Sequence, residues 1–131
     1  MAAAGSVSVE STYLGGDLTK YTIRWTSSSG GAVAENAVAV ARGHVHQVKF
    51  VPDGGDTQPP VSHSFKLCDD DGLDLLCGYG VNRGTADPGI VRFGDGEGIA
   101  PSTFFEGGDV FPTVANAGDA NAGTVVLIMG R

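Results

Sequence analysis

The sequence predicts an all-β protein, a single-domain antiparallel β-sandwich of immunoglobulin-like or jelly-roll-like type with long glycine-rich loops. Three observations support this prediction. Glycine contributes 21 of the 131 residues and charged residues only 18%, a composition typical of many turns and short strands. About eight or nine short runs of β-branched and aromatic residues recur at intervals of roughly 8–12 residues, the spacing expected of a sandwich. No segment has the 3.6-residue period of an amphipathic helix.

The first two runs predict a β-hairpin. Residues 6–14 alternate between apolar and polar side chains, with Val9 and Tyr13 on the apolar face, which indicates a half-buried strand. Residues 18–27 alternate more clearly still, with Trp25 on the face that we expect to lie in the core. The Gly-Gly-Asp sequence between the two runs supplies the turn.

The middle of the chain predicts a three-stranded antiparallel meander. Its strands are residues 44–51, 61–69 and 73–79, and two loops rich in Gly, Pro and Asp separate them. Before the meander, residues 32–41 mix alanine, which favours helix, with valine, which favours extension, and we interpret them as a strand.

The last third of the chain predicts short strand cores and a closing strand. Residues 90–93 and 103–105 are strand-like within an otherwise glycine-rich segment. Residues 110–115 then turn through a run of Asn, Ala, Gly and Asp and return as residues 124–129. Because this last run, TVVLIM, is apolar on both faces, we expect an interior strand covered on both sides, by its own sandwich or by a neighbouring subunit.

The length fits one domain, residues 6–131, preceded by an arm of small residues at 1–5 that we expect to be mobile. No apolar run approaches the roughly 20 residues that a membrane span requires, and the N-terminus lacks the features of a signal peptide. We therefore expect synthesis in a cytoplasm. The reducing environment there would keep Cys68 and Cys77 as free thiols, as small apolar residues of the core.

The formal net charge is −7 and is unevenly distributed. Residues 1–52 carry +1, with three acids against four bases, and residues 53–131 carry −8, with twelve acids against four bases. An acidic surface repels both nucleic acid and anionic membranes, so we expect neither as a partner. The charge instead suits solubility or a basic protein surface.

Two acidic loops are weak candidates for a calcium site. Asp69, Asp71 and Asp74 resemble half of a calcium loop, but the closing bidentate glutamate is missing. Asp-Gly between two apolar runs favours a hairpin turn at the same place. The second loop, residues 94–98 (GDGEG), could contribute carboxylates or simply keep an exposed loop soluble. We predict no metal and no cofactor.

The histidines give a weak zinc hypothesis. His44 and His46 lie on one face of a predicted strand, and His63 would approach them if the next strand paired back. The alternative is that these are histidines at a sheet edge or an interface. No motif pairs a nucleophile with a base, so we predict that the protein is not an enzyme.

Three phenylalanines lie in or beside glycine-rich loops, at Phe104, Phe105 and Phe111. Neighbouring residues of a strand point to opposite faces, so one ring of the adjacent pair needs cover beyond a one-sided core. That cover is either a second sheet or a partner subunit.

Four segments together carry a resemblance to a known group of proteins. They are KYTIRWT at 20–26, QVKFVPDGGDTQP at 47–59, DDDGLDLL at 69–76, and VANAG followed by GTVVLI at 114–118 and 123–128. This series resembles small virion-associated proteins of tailed bacteriophages over roughly residues 6–130. The shared features are turn and strand patterns rather than chemical signatures.

The resemblance implies a β-rich accessory protein, best described as a capsid decoration or cement protein. Such a protein would bind the outer surface of the major capsid protein lattice, stabilise the head and be located on the virion. It also implies a homo-oligomer, with a trimer favoured. The residues that we expect at the partner interface are Ala2, Ala3, Ala4, Arg83, Arg92, Phe104, Phe105 and Phe111. The alternatives are a tail or baseplate accessory protein and a calcium-dependent carbohydrate-binding sandwich on the particle surface.

Overall fold

In the computed structural model of the chain, the described residues form nine β-strands arranged in two antiparallel sheets. The structure describes residues 5–28, 37–40, 42–53, 63–69, 71–76, 78, 89–93, 104–115, 117 and 121–130. The strands among them are β1 (Ser6–Gly15), β2 (Leu18–Thr26), β3 (Val38–Val40), β4 (Gly43–Pro52), β5 (Ser64–Cys68), β6 (Gly89–Arg92), β7 (Phe104–Phe105), β8 (Gly108–Ala115) and β9 (Ala122–Gly130). The described residues include no helix.

The larger sheet has the strand order β1-β2-β9-β4-β6, and the short strand β7 also pairs with β4. The smaller sheet has the order β3-β8-β5. All of these pairings are antiparallel. The prediction of an all-β, antiparallel two-sheet protein is therefore confirmed, while the immunoglobulin-like or jelly-roll-like type stays a prediction.

The β1–β2 hairpin is confirmed in the register that the alternation indicates. Its turn residues Gly16 and Asp17 have φ angles of 59° and 66°, and positive φ at both positions is the geometry of a type I′ turn, whose twist matches that of the flanking strands. The apolar side of β2, including Ile23 and Trp25, is buried between the sheets. The other strand behaves differently, because almost all of β1 is exposed on both faces.

The core lies between the two sheets and is almost entirely aliphatic and aromatic. It comprises Tyr21, Ile23, Trp25, Val38, Val40, Val45, Val48, Phe50, Phe65, Leu67, Leu75, Leu76, Phe93, Phe105, Val110, Val114, Ala117, Val125, Leu127 and Met129. The rings of Phe50 and Phe65 meet edge to face with centroids 6.3 Å apart and so link the two sheets.

The predicted meander is wrong. Strand β4 pairs with β6, β7 and β9, whereas β5 pairs with β8 in the other sheet. Residues 73–79 contain no strand among those described: Asp74 makes a single bridge to Cys68, and the chain then turns. Leu75 and Leu76 are both buried, which a turn allows and an alternating strand does not.

The expected return of the chain after β8 is also different. Strands β8 and β9 lie in different sheets, so they do not pair with each other as a hairpin. Strand β9 is nevertheless interior as predicted, between β2 and β4. Gly123, Val125, Leu127 and Met129 are buried on the core side, whereas Thr124, Val126 and Ile128 are only half-buried on the opposite side, so the predicted cover on both sides is incomplete.

A β-bulge interrupts β4 at His46. The register to β9 shifts between Val45 and Gln47, so Val45 and Val48 are both fully buried although they are three positions apart. A regular strand would place them on opposite faces, and the extra residue of the bulge restores the inward direction.

The predicted arm at 1–5 lies outside the described residues except for Gly5. The described part of the chain has no helix that is long and apolar enough to span a membrane.

Candidate docking surfaces

The side of the larger sheet that faces away from the smaller sheet, here called the outer face, has no layer of described residues over it. At its centre lie Val126 and Ile128 of β9, both half-buried. Val126 lies between Thr22 and Lys49 in the neighbouring strands, and Ile128 has its own cross-strand partners in β2 and β4. Directly opposed residues share a face and contact one another, so the aliphatic centre is bordered by polar side chains of β2 and β4.

Those bordering side chains are mainly cationic. Ile128 lies between Lys20 and Gln47, and Arg24 lies opposite Thr124. Beyond Lys49, the strongly exposed Ile90 of β6 continues the apolar surface. The stems of lysine and arginine cover neighbouring apolar surface while their charges stay in water. The outer face is thus an aliphatic strip with a basic border.

The charge of this face is opposite to that of the whole chain. Lys20, Arg24 and Lys49 contribute three positive charges, and Glu10 is the only acid among the described residues of the face. The described charged side chains of the face therefore sum to +2, whereas the net charge of the whole chain is −7. Glu10 forms an ion pair with Arg24, with 3.2 Å between the carboxylate and guanidinium atoms.

The second uncovered surface is β1. It forms an edge of the larger sheet, and no described strand pairs with its outer side. Val9, Tyr13 and Leu14 are among the most exposed large apolar residues described, and Tyr13 is 70% exposed. Val9 lies opposite the fully buried Ile23 on the core side of the sheet. The prediction of a half-buried β1 is wrong, because most of its residues are exposed, including Val9 and Tyr13 on the predicted apolar face.

The carboxylates proposed for calcium bind backbone amides instead. Oδ1 of Asp69 accepts hydrogen bonds from the amides of Asp71 and Leu73, both at 2.9 Å. The Asp69 amide in turn donates to the Leu73 carbonyl at 2.9 Å. These bonds build a tight turn at Gly72, where φ is 84°, as the Asp-Gly signal indicates.

Asp74 has a similar structural role. Its Oδ1 accepts from the amides of Leu67 and Leu76 at 3.1 and 3.0 Å, and its Oδ2 accepts from the amide of Gly78 at 2.9 Å. The carboxylate thereby ties the turn to strand β5.

Asp71 is exposed, and the 94–98 loop lies outside the described residues. Within the described part of the chain, no group of three or more His, Cys, Asp or Glu side chains is arranged to hold a metal ion.

The three histidines do not come together. His44 is exposed and His46 half-buried, both on β4 of the larger sheet. His63 is buried beside the smaller sheet, where its ring lies 6.0 Å from that of Trp25. The zinc hypothesis needs the strand after β4 to pair back with it, and β5 pairs with β8 instead.

A narrow cleft of about 10 Å³ lies at the Trp25 end of the sandwich, lined in part by Trp25, Phe50, His63 and Phe65. A volume of that size holds about one water molecule. The cleft therefore offers no room for a substrate or an organic cofactor.

The residues predicted to contact a partner differ in burial, and the structure describes the side chains of only two of them, Phe105 and Phe111. Phe105 is only 6% exposed and belongs to the core, so its ring is covered within the single chain. Phe111 is half-buried on β8. Phe104 and Arg92 lie in strands, but the structure does not describe their side chains. Residues Ala2, Ala3, Ala4 and Arg83 are not among the described residues.

Cys68, one of the two cysteines, is free and half-buried at the end of β5. Burial raises the pKa of its thiol above the ordinary value, and the nearby Asp74 carboxylate raises the pKa further. A hydrogen bond with Thr113 acts in the opposite direction. A raised pKa lowers the thiolate fraction at neutral pH, so this environment is that of an unreactive structural cysteine. Cys77 lies outside the described residues.

Comparison of the chain with protein-family models, with curated proteins and with solved structures finds no match. The chain's own surfaces are therefore the guide to its function. Sequence reasoning missed the outer face, although part of its signal was visible: Lys20 and Arg24 alternate with Tyr21 and Ile23. The missing information was that Lys49 and the aliphatic side chains of β9 lie beside them in the sheet.

Proposed function

We propose that the chain is a structural protein of a tailed-bacteriophage virion, a capsid decoration protein that binds the outer surface of the major capsid protein lattice and stabilises the head. The observation that supports this proposal best is the outer face, where the half-buried Val126 and Ile128 each have a lysine as one cross-strand neighbour. The resemblance of the turn and strand patterns to small phage virion proteins supplies the class of assembly.

The chemistry of the outer face favours a protein partner over nucleic acid. Sheets that bind single-stranded nucleic acid present aromatic rings on which the bases stack, whereas the described centre of this face is aliphatic. Burying the aliphatic strip supplies hydrophobic free energy. The basic border then favours a partner surface that presents carboxylates around an apolar centre, since complementary charge raises the association rate and selects the partner.

The proposed mechanism is mechanical rather than chemical. A rigid sandwich that contacts two neighbouring capsid subunits adds buried area across a joint that internal DNA pressure tends to open. Each contact needs only a standard patch, about 800 Å² per partner, because the symmetry of the shell repeats it many times. The wide, continuously paired larger sheet suits this role, since hydrogen bonding between its strands resists shear.

Binding to particles tests this function. Virions that lack the chain are incubated with purified protein, and the bound fraction is measured by co-sedimentation. We expect the wild-type protein to bind saturably, and the double variant Lys20→Glu/Lys49→Glu to bind at least about tenfold more weakly because it reverses the charge of the border. Lys66→Glu is the matched control, since Lys66 is an exposed lysine on β5 of the other sheet.

The result separates the alternatives. Equal binding by the double variant and the Lys66→Glu control would remove the outer face from the proposal. Binding to isolated tails but not to heads would favour the tail or baseplate role. No binding to any part of the particle would contradict the proposed function.

A further inference from the structure

We propose that β1 is a self-association site, and that two copies of the chain pair through their β1 strands, antiparallel and around a two-fold axis, to join their larger sheets into one. This inference concerns the association of the chain with itself and does not depend on the proposed virion role. It starts from the free backbone edge of β1, to which no described strand is paired.

This edge lacks most of the features that normally prevent sheet-to-sheet pairing. Protective edges are short, carry lysine, proline or inward-facing charges, or contain bulges, and the irregularity in β1 is confined to its end, between Tyr13 and Gly15. Strand β1 spans ten residues, SVSVESTYLG, with no lysine and no proline. It is about 33 Å long at the usual rise per residue. Its serine, valine, threonine and tyrosine residues favour extended structure.

The charge on β1 favours a second copy as the occupant. The strand carries one charged residue, Glu10, and Arg24 of the same chain forms an ion pair with it. A locally neutral edge requires no opposite charge from its partner, so it can pair with an identical strand despite the net charge of −7. The basic outer face, in contrast, requires an acidic partner, and β1 itself presents too little acid for that role.

An antiparallel register centred on Ser11 brings favourable side-chain pairs together. With Ser11 on the two-fold axis, Val9 of each copy lies opposite Tyr13 of the other, and Glu10 lies opposite Thr12. Aromatic residues opposite β-branched residues are favourable cross-strand pairs, and both side chains are exposed in the single chain. A register centred on Glu10 would place two carboxylates opposite each other and is disfavoured.

The size of the contact sets the expected strength. A single strand-to-strand ladder covers less than the about 800 Å² per partner of a standard interface. We therefore expect a reversible dimer that dissociates on dilution rather than an obligate one. A two-fold contact of this kind gives dimers, in contrast to the trimer that the resemblance implies.

Sedimentation equilibrium of the purified full chain over a dilution series up to about 1 mM tests the proposal. We expect a monomer–dimer equilibrium. Ser11→Lys places like charges opposite each other at the axis and should weaken dimerisation at least about tenfold. Ser6→Lys is the matched control: it makes the same change at an exposed position of the same strand, far from the axis, and should leave the dimer intact.

Disulfide trapping provides a second, independent measurement of the register. Directly opposed residues of an antiparallel pair have Cα atoms about 4.5–5.5 Å apart, within the range that a disulfide spans. In a Cys68→Ser/Cys77→Ser background, Ser11→Cys should form a covalent dimer on mild oxidation and Ser6→Cys should not. A wild-type chain that is monomeric throughout the series, or Ser11 and Ser6 variants that behave alike in both experiments, would overturn the proposal.

Discussion

Gly123 of β9 lies directly opposite Trp25 of β2, and a Cβ atom at Gly123 would come within 2.7 Å of Cζ2 of the indole ring. The absence of a side chain at Gly123 therefore makes the space that the largest aromatic residue of the chain occupies. The ring in turn packs against His63 beside the smaller sheet. The pairing with Gly123 thus lets the Trp25 ring lie close against strand β9.

Replacement of Gly123 tests that relationship. Gly123→Ala should lower the free energy of unfolding by about 1–3 kcal/mol, because the methyl group forces the buried indole out of position. Equilibrium urea denaturation measures the change. In a double-mutant cycle with Trp25→Phe, the two substitutions should be less than additive, since the smaller ring leaves room for the methyl group. Full additivity would show that the two residues do not compete for space.

The Asp74 carboxylate should be a main determinant of the stability of the 69–78 turn. Asp74→Ala leaves the amides of Leu67, Leu76 and Gly78 without their acceptor, and we expect a loss of about 2–4 kcal/mol in the free energy of unfolding. Asp74→Asn keeps one oxygen and should lose less. Asp71→Ala, at an exposed position of the same turn, should change stability by less than about 0.5 kcal/mol. Equal losses at Asp71 and Asp74 would contradict this assignment.

The thiol of Cys68 should react slowly with alkylating reagents. Its pKa is raised by burial and by the Asp74 carboxylate, so the rate at pH 8 should fall below that of an exposed thiol and rise only at more alkaline pH. The rate is measured on Cys77→Ser protein by loss of free thiol. A raised folded-state pKa also means that the stability linked to this thiol is complete below the unfolded pKa and decreases as pH rises through the folded one. An ordinary alkylation profile would contradict the environment described for Cys68.

The ion pair between Glu10 and Arg24 should contribute little to stability. Their side chains are 71% and 55% exposed respectively, and water and salt weaken the attraction between charges in such positions. Glu10→Gln should therefore change the free energy of unfolding by less than about 0.5 kcal/mol, measured by thermal unfolding at low and at high salt. A loss above 1 kcal/mol would show that β1 depends on this pair.

The elements that could be predicted from the sequence are those fixed by local alternation and turn chemistry. Tyr21, Ile23 and Trp25 alternate with polar residues, and positive φ is accessible to Gly16, so the first hairpin follows from neighbouring residues alone. The hairpin turn at Gly72 has the same kind of origin, since the Asp69 carboxylate and the glycine act over a few positions.

The choice of strand partner could not be predicted, because alternation determines which side chains face inward but not which strand lies alongside. The buried residues Val48, Phe50, Phe65 and Leu67 satisfy a meander and the observed two-sheet arrangement equally well. The outer face depends on this information, since Lys49 and Val126 become neighbours only through the β4–β9 pairing. The exposure of Tyr13 likewise could not be predicted, because alternation does not show whether a second layer covers the strand.

The central claim, that the chain strengthens a capsid by binding to it, is tested most directly by the temperature at which virions release their DNA. Particles that lack the chain, particles to which wild-type protein has been added back, and particles treated with the Lys20→Glu/Lys49→Glu variant are heated in parallel, and DNA release is followed by the fluorescence of a DNA-binding dye. We expect the wild-type protein to raise the release temperature by several degrees and the variant to leave it near that of the undecorated particles. The same release temperature in all three samples would contradict the claim.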